Sequence, residues 1–390
     1  MCVVLIVFGM AKVHENGDFI GYVNAGNLVL SGGDIYSDMF NTWPPAFSIL
    51  SVPFALLNNI SFIGVRIIWM LTMFILFFYC MKCMLNIIHH KRYSNKEVLQ
   101  QLQTPVYFTA FFLCCRAFMD NLIYMQINIL MLAACCYLLN NINRRNDVAG
   151  WLAGVSIGAK VFNIFLLPAY ILFRQWRMVA MIMGGIALTL VLCWVVFGIA
   201  GTEAYFSHWY HHIASAPQTI EHRNQSLICA LNRLLSADNQ TINEFPSLAD
   251  WSFKNIQKLY YGLLLSGIVL FLTAFRQSIA KAHPAFMLQV MVLIITLIPV
   301  LSPVSWKANY IYALPAFFLM AGMWSEHKLN TTAKILFICG SIFLVLSNEA
   351  LIGRAAMYFL ENCNVLVAGE LLLAFALVSH MLMNQKQERA

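Results

Sequence analysis

Long apolar runs recur along most of this chain, several of them near or above the roughly 20 residues a helix needs to cross the hydrocarbon core of a bilayer. The runs 61–88, 178–200, 284–301 and 363–383 are the clearest. No other feature constrains the fold so strongly. In lipid every backbone N–H and C=O must find its partner within the protein, and a helix does this within one segment. A membrane β-barrel would show short alternating segments instead, and none are seen. Charged residues make up 11% of the 390, about half the fraction of a soluble domain. The expected fold class is an all-α polytopic membrane protein.

The formal net charge of +7 does not point to nucleic acid, because the basic residues sit mostly in short loops between apolar runs. Six clusters, at 89–96, 143–146, 174–177, 276–281, 326–334 and 385–389, are placed in the cytoplasm by the positive-inside rule. That placement sets the helix count. "MCVVLIVFGMAKV" lacks a basic n-region and reads as a short first span, not a signal peptide. The run 61–88 returns to the cytoplasm, and 104–118 with 123–140 go out and back. The run 149–173 begins and ends at basic clusters, so it must also go out and back. It is too short for two full spans, and reads as two short helices meeting near "AKVFN" (159–163) or as a re-entrant pair.

The run 178–200 then exits. Spans at about 256–275, 284–301, 308–324, 332–350 and 363–383 complete about 12 transmembrane helices with both ends inside. A crossing at 44–58 would invert every later loop, so 20–31 and 44–58 are expected to be juxtamembrane helices along the outer interface. The expected organisation is a transmembrane module at 1–200 with an outer loop at 13–60, an extracytoplasmic loop at 201–255, and C-terminal transmembrane helices at 256–390.

Most of the eleven cysteines lie in apolar runs and act as small hydrophobes. "CMKC" (80–83) has metal-like spacing but no second ligand pair in sequence. Walker, G-x-S-x-G and HExxH motifs are absent, which leaves a cytoplasmic nucleotide donor unsupported. No DxD-type metal motif is read in the first loop, and no cofactor or metal is expected.

Polar clusters that topology does not explain all fall on the expected outer side. They are Asp18 with Asp34 and Asp38; Arg116, Asp120, Asn121, Gln126 and Asn128; Lys160 with Asn163; His211, His212, His222, Arg223, Asn224 and Gln225; and Trp306, Lys307 and Asn309. Ionisable residues near hydrocarbon are costly and mark functional sites. Blander readings stand beside this one. Asp34 and Asp38 next to "SGG" suit turns, Arg116 and Asp120 suit an i,i+4 ion pair, and His211 suits a solvated loop. A carboxylate facing several cations at an outer membrane surface suits group transfer from a lipid phosphate. The cations neutralise the leaving phosphate and the carboxylate takes a proton from the attacking hydroxyl.

The stretches "GDFIGYVNAGNLVLSGGDIYS", "TWPPAFSILSVPFALL", "MQINILMLA", "AGWLAGVSIGAKVFNIFLLPAYILFRQWR", "HRNQSLICALNRLL" and "LSPVSWKANYIYALPA" follow one another over residues 17–315. In that order they resemble glycosyltransferase family 87 of the GT-C superfamily. The resemblance implies a GT-C-type fold and a polyprenyl-phosphate-mannose-dependent mannosyltransferase working on the extracytoplasmic side, in a bacterial inner membrane. It implies Asp18 as catalytic base. It places Lys160, Gln126, Asn128, Arg223, Asn224 and Gln225 at substrate-binding positions. Many members carry histidines after "SPVSW", where this chain has Lys307, Ala308 and Asn309.

The expected partners are thus a polyprenyl-phosphate-linked sugar donor, a glycan or glycolipid acceptor and the lipid bilayer, with no nucleic acid. The expected site is Asp18 as base, with Lys160, Arg223, Lys307, Asn128, Gln126, Asn224, Gln225, Trp306, Arg116 and His211 binding substrate. Two rivals remain. A transporter or flippase of a lipid-linked or anionic solute would use the same cations but needs a charged path through the bilayer, for which Arg66 and Lys82 are the remaining candidates. A lipid-linked oligosaccharide ligase or polymerase would differ only in its acceptor.

Overall fold

A computed structural model describes residues 17–38, 41–142, 146–215, 223–236 and 247–387. Among these residues the chain is helical throughout, with no strand. Six helices are long and apolar enough to cross a membrane: Phe62–Ile88, Pro105–Ile123, Trp176–Ser215, Phe253–Lys281, Pro284–Leu301 and Val365–Gln385. The protein is an integral, multi-pass membrane protein. Shorter apolar helices lie between them, so a count of twelve spans is not settled by helix length. The first span expected from the sequence lies outside the described residues.

In chain order the α-helices are α1 (Phe19–Ser31), α2 (Pro45–Leu50), α3 (Val52–Ile60), α4 (Phe62–Ile88), α5 (Asn95–Leu102), α6 (Pro105–Ile123), α7 (Asn128–Asn140), α8 (Asp147–Ala159), α9 (Leu167–Leu172), α10 (Trp176–Ser215), α11 (Leu227–Leu235), α12 (Phe253–Lys281), α13 (Pro284–Leu301), α14 (Leu314–Ser325), α15 (Thr331–Leu346), α16 (Glu349–Ile352), α17 (Arg354–Asn362) and α18 (Val365–Gln387). Two 3₁₀ segments, Val161–Leu166 and Lys307–Ala313, interrupt them.

Local chemistry explains many of the boundaries. Ser61, Asn146, Ser226 and Asn330 each cap a helix N-terminus by accepting a backbone N–H. Ser94 and Glu97 form a capping box at α5. Gly32 ends α1 at φ 68°, a left-handed conformation that glycine adopts without penalty.

The run 149–173 contains two short helical arms broken at Lys160, which is extended (φ −149°, ψ 112°). The helix pair expected from the sequence is present. The segments 20–31 and 44–58 are helical as expected, 44–58 being two helices that meet at Ser51. The stretch 201–255 departs from a plain loop. Trp176–Ser215 is two helical stretches joined by a kink at Gly198, whose backbone is non-helical (φ 72°, ψ 170°); the second stretch reaches Ser215, and α11 follows.

The chain divides into two compact units. One comprises Met1–His89 with Ala117–Ile213, the other His90–Arg116 with Ala214–Ala390. In the first unit α4 packs on α7, and α1 packs on α3. Helix α8 lies against α10 backbone to backbone. A Cβ built on Gly154 would stand 2.1 Å from the Ile182 carbonyl oxygen, and one on Gly185 would stand 2.5 Å from that of Trp151. Such close approach is how small residues let membrane helices associate. In the second unit α18 is central, packing on α13 and α15.

Candidate functional site

The first unit builds a site around Asp18. Gly17 precedes it at φ +43°, and a Cβ there would meet the Tyr124 carbonyl oxygen at 2.8 Å. Only glycine fits this turn. It lets the Asp18 N–H donate to the Tyr124 carbonyl at 2.8 Å. Asp18 sits at the N-cap of α1, where an aspartate normally accepts an N–H of the first turn. Here it makes no side-chain cap. Its Oδ2 instead accepts from Nε2 of Gln126.

The chain of contacts then runs on. Gln126 Oε1 accepts from Asn128 Nδ2 at 3.0 Å, and Asn128 Oδ1 accepts from Lys160 Nζ at 2.6 Å. Every donor in this line points toward Asp18. Two amide dipoles and one ammonium therefore act in the same sense on a single carboxylate, and such chains polarise cooperatively. Oδ1 of Asp18 accepts no hydrogen bond among the described residues.

The turn carrying Gln126 is held from several sides. Met125 adopts φ 50°, a conformation unusual for a residue with a side chain. The Trp69 indole N–H donates to the Met125 carbonyl at 3.2 Å, and the Ile127 N–H donates to the Tyr22 hydroxyl at 3.1 Å. Tyr22 and Trp69 belong to an aromatic cluster with Phe19, Trp43, Phe47 and Phe54, ring centroids 4.8–6.0 Å apart. Helices α1 to α4 thus brace the turn beside Asp18. On the other side Asn163 folds back to give its amide N–H groups to the Met131 carbonyl (3.1 Å) and Ser156 Oγ (2.9 Å). This fold-back stabilises the break that presents Lys160, whose ammonium also lies 4.5 Å from the Phe162 ring centre.

Electrostatics at Asp18 are set by opposing effects. Burial pushes its carboxyl up to about 6, against the lowering influence of the Lys160 charge and the Gln126 hydrogen bond. The group is a base that ionises near neutrality, which suits proton abstraction.

The second unit gathers the other set of polar residues. Asn224 Oδ1 accepts from the backbone N–H groups of Ser305 (2.9 Å) and Ser226 (3.2 Å), and its Nδ2 donates to the Pro303 carbonyl (3.1 Å). The Gln225 N–H donates to the Ser305 carbonyl, its Nε2 to the Glu361 carbonyl, and its own carbonyl accepts from the Tyr310 hydroxyl. The two motifs that stood 80 residues apart in sequence are one knot of loops. Asn224 and Gln225 are buried within it, tying loop to loop.

Lys307 pairs with Glu361 Oε1 at 2.5 Å, and Trp306 beside it is half-buried. Arg233, also buried, donates to Asn364 Oδ1 and to the Asn224 carbonyl. Arg223 is exposed at the edge of the knot. Arg116 donates to the Leu344 carbonyl at 3.3 Å. His211 lies exposed on the last turns of α10 and joins neither set.

Sequence reasoning missed Tyr22, Trp69, Arg233 and Glu361. Arg233 stood inside a quoted motif, in the last turn of an amphipathic helix. Glu361 lies on α17, in a stretch the sequence left as a mere connection. Asp34 is a turn residue as expected, its Oδ1 accepting from the Tyr36 N–H at 3.0 Å. The "CMKC" thiols do meet a second pair across the α4–α7 packing, with Cys80 hydrogen-bonded to Cys136. Among the described residues, however, no group of three His, Cys, Asp or Glu is placed to hold a metal ion.

These features define a helical integral-membrane protein with one ionisable acid held by an amide–lysine line and a separate knot of basic loops. A family model, Glycosyltransferase family 87, matches residues 41–303. That is more than half of the chain, which therefore belongs to this family and is a membrane glycosyltransferase. The match includes Gln126, Asn128, Lys160 and the 223–225 motif; it begins after Asp18 and ends before Trp306 and Lys307. No curated protein matches the chain.

Proposed function

We propose that this enzyme transfers a hexose, mannose by preference, from a polyprenyl-phosphate donor to an acceptor hydroxyl of a glycan or glycolipid on the extracytoplasmic face of a bacterial inner membrane. One observation carries the proposal: the line Lys160–Asn128–Gln126–Asp18, in which every donor points at one carboxylate whose second oxygen is left without a hydrogen bond.

In this scheme Asp18 Oδ1 receives the proton of the acceptor hydroxyl as its oxygen attacks the anomeric carbon. The bond from that carbon to the phosphate oxygen breaks on the opposite face, and the phosphate leaves on the lipid. A single displacement with one carboxylate inverts the anomeric centre, by the same stereochemical logic as in glycosidases. Gln126 and Asn128 hold the carboxylate in its ionised form and fix its orientation. Lys160 supplies positive charge from the far end of the line; one of its three N–H donors goes to Asn128, leaving others for the donor phosphate. In the second unit Lys307, Arg223 and Trp306 are assigned to substrate binding, while Asn224 and Gln225 position the loops. Arg116 and His211 are assigned to the outer rim of substrate binding. No metal or cofactor is required by this scheme.

The test is direct. Purified protein is given polyprenyl-phosphate mannose and a panel of acceptors, and products are read by mass spectrometry with the anomeric configuration assigned by NMR. A mannosylated product of inverted configuration is expected from wild type and not from Asp18→Asn. Solute flux without any glycosidic product would instead favour a transporter.

A further inference from the structure

The Asp18 carboxylate takes its hydrogen bond from the Gln126 amide, so the line of donors ends wherever the main chain at Gln126 aims that side chain. The Gln126 N–H donates to the Asn121 carbonyl at 2.9 Å. The carbonyl before it, of Met125, accepts from the Trp69 indole at 3.2 Å. The N–H after it, of Ile127, donates to the Tyr22 hydroxyl at 3.1 Å. Ile127 is the N-cap of α7 and brings no side-chain cap, so its N–H stands at a helix start, where main-chain donors lack partners in their own helix. A side chain about 100 residues away in sequence supplies the partner.

Helix α1 is therefore stitched to this turn twice, with opposite polarity. The Asp18 N–H gives to the Tyr124 carbonyl at 2.8 Å, and the Tyr22 hydroxyl receives from Ile127. Gln126 lies between the two stitches. Asp18 and Tyr22 are four residues apart, about one helical turn, so the same turn of α1 carries the carboxylate and the hydroxyl that places its partner. Packing alone does not call for that hydroxyl. Tyr22 is completely buried, and its ring meets Phe19, Trp43, Phe47 and Trp69, contacts that a phenylalanine would also make. Only the oxygen reaches Ile127, and burying a hydroxyl is costly unless it is hydrogen-bonded. Burial and the neighbouring Asp18 charge hold Tyr22 above the ordinary tyrosine range, so it stays neutral while Asp18 ionises at about 6.

We infer that Tyr22, together with Trp69, is a positioning residue for the transfer reaction: the hydroxyl and the indole fix the turn 125–127 so that the Gln126 amide meets Asp18 Oδ2. This rests on the proposal above that Asp18 is the base.

The experiment compares Tyr22→Phe with wild type in the full-length protein in detergent. The variant should lower kcat about tenfold, since a misaligned base loses rate, while KM for polyprenyl-phosphate mannose is kept. The acid limb of its pH–rate profile should move up by about one unit as the carboxylate loses an aligned hydrogen bond. A double-mutant cycle tests the route. In a Gln126→Met background, Tyr22→Phe should move the limb no further, because no amide is left to aim.

A second measurement needs no sugar transfer. Asp18→Asn should gain thermal stability over its parent as the pH rises, because the parent loses stability until its carboxyl is ionised. That lead should level off just above pH 6, and about one unit higher when both proteins also carry Tyr22→Phe. Trp69→Phe keeps a ring but removes the donor to Met125. It should shift both readouts in the same direction, and it carries the test if Tyr22→Phe fails to fold.

A residue that only packs would lower the unfolding temperature and leave the acid limb and the levelling-off pH in place, which would overturn the inference. A limb that moves equally in the Gln126→Met background would overturn it too. Near wild-type transfer by Asp18→Asn would sink the proposed base instead, and the stability measurement would still decide whether Tyr22 acts on Asp18.

Discussion

Replacing Asp18 by asparagine should make the protein more stable and nearly inactive, and the size of the first effect follows from the geometry. Asparagine keeps the volume and the carbonyl oxygen that Gln126 needs, but it cannot take a proton. Turnover should fall roughly 10²–10⁴-fold, the usual contribution of a general base. The stability change comes from burial. The carboxyl ionises at about 6 in the folded protein against 3.8 in the open chain, so folding favours its protonated form.

Stability from this group is therefore fully present below pH 3.8 and is lost as the pH rises through 6. Above that point the ionised acid costs about 3 kcal/mol, at about 1.36 kcal/mol per unit. That figure is a ceiling, because the variant also loses the attraction between the carboxylate and Lys160. Thermal unfolding in detergent should show the Asp18→Asn variant and wild type close together near pH 4. The variant should then lead by a few degrees above pH 7. Near wild-type sugar transfer by the variant would place the base elsewhere, with Asp120 next in line. A stability difference that does not grow between pH 4 and pH 7 would refute the account of burial at Asp18.

The remaining predictions concern the same features. The pH–rate profile of wild type should fall on its acid side with an apparent pKa near 6, and Lys160→Met should move that limb up by about one unit as the favourable charge is lost. A limb that stays in place would detach Lys160 from Asp18. Gly154→Ala should destabilise the α8–α10 packing by roughly 1–3 kcal/mol, read as a lower unfolding temperature in mild detergent, because its Cβ would land 2.1 Å from the Ile182 carbonyl oxygen. A cysteine introduced at Lys91 in a cysteine-depleted background should resist a membrane-impermeant thiol reagent added from outside; labelling there would reverse the assigned topology.

Much of this protein was legible in its sequence, because the bilayer imposes a rule that acts residue by residue. A chain in hydrocarbon must pair its backbone locally, so apolar runs declare helices. The same local logic placed a break near "AKVFN" (159–163), because a run that begins and ends at basic clusters must go out and back, and the helix breaks at Lys160. Asp18, Gln126, Asn128 and Lys160 were each singled out as polar groups in costly places. What no local rule contains is how polar side chains choose one another. That Asp18 abandons its helix cap for Gln126 depends on Gly17 admitting the Tyr124 carbonyl, and on Tyr22 and Trp69 holding a strained Met125. Those contacts join residues about 50 to 110 apart. Likewise Asn224 and Gln225 read as ligand-binding amides, yet their partners are the carbonyls and N–H groups of loops far along the chain, which become available only when α11, α13 and α17 pack. Glu361 was silent in sequence, as one acid in a short amphipathic stretch. It became the counter-charge of Lys307 only when tertiary packing buried it beside that half-buried ammonium, since a buried charge must find an opposite one and the sequence alone does not say which will be within reach.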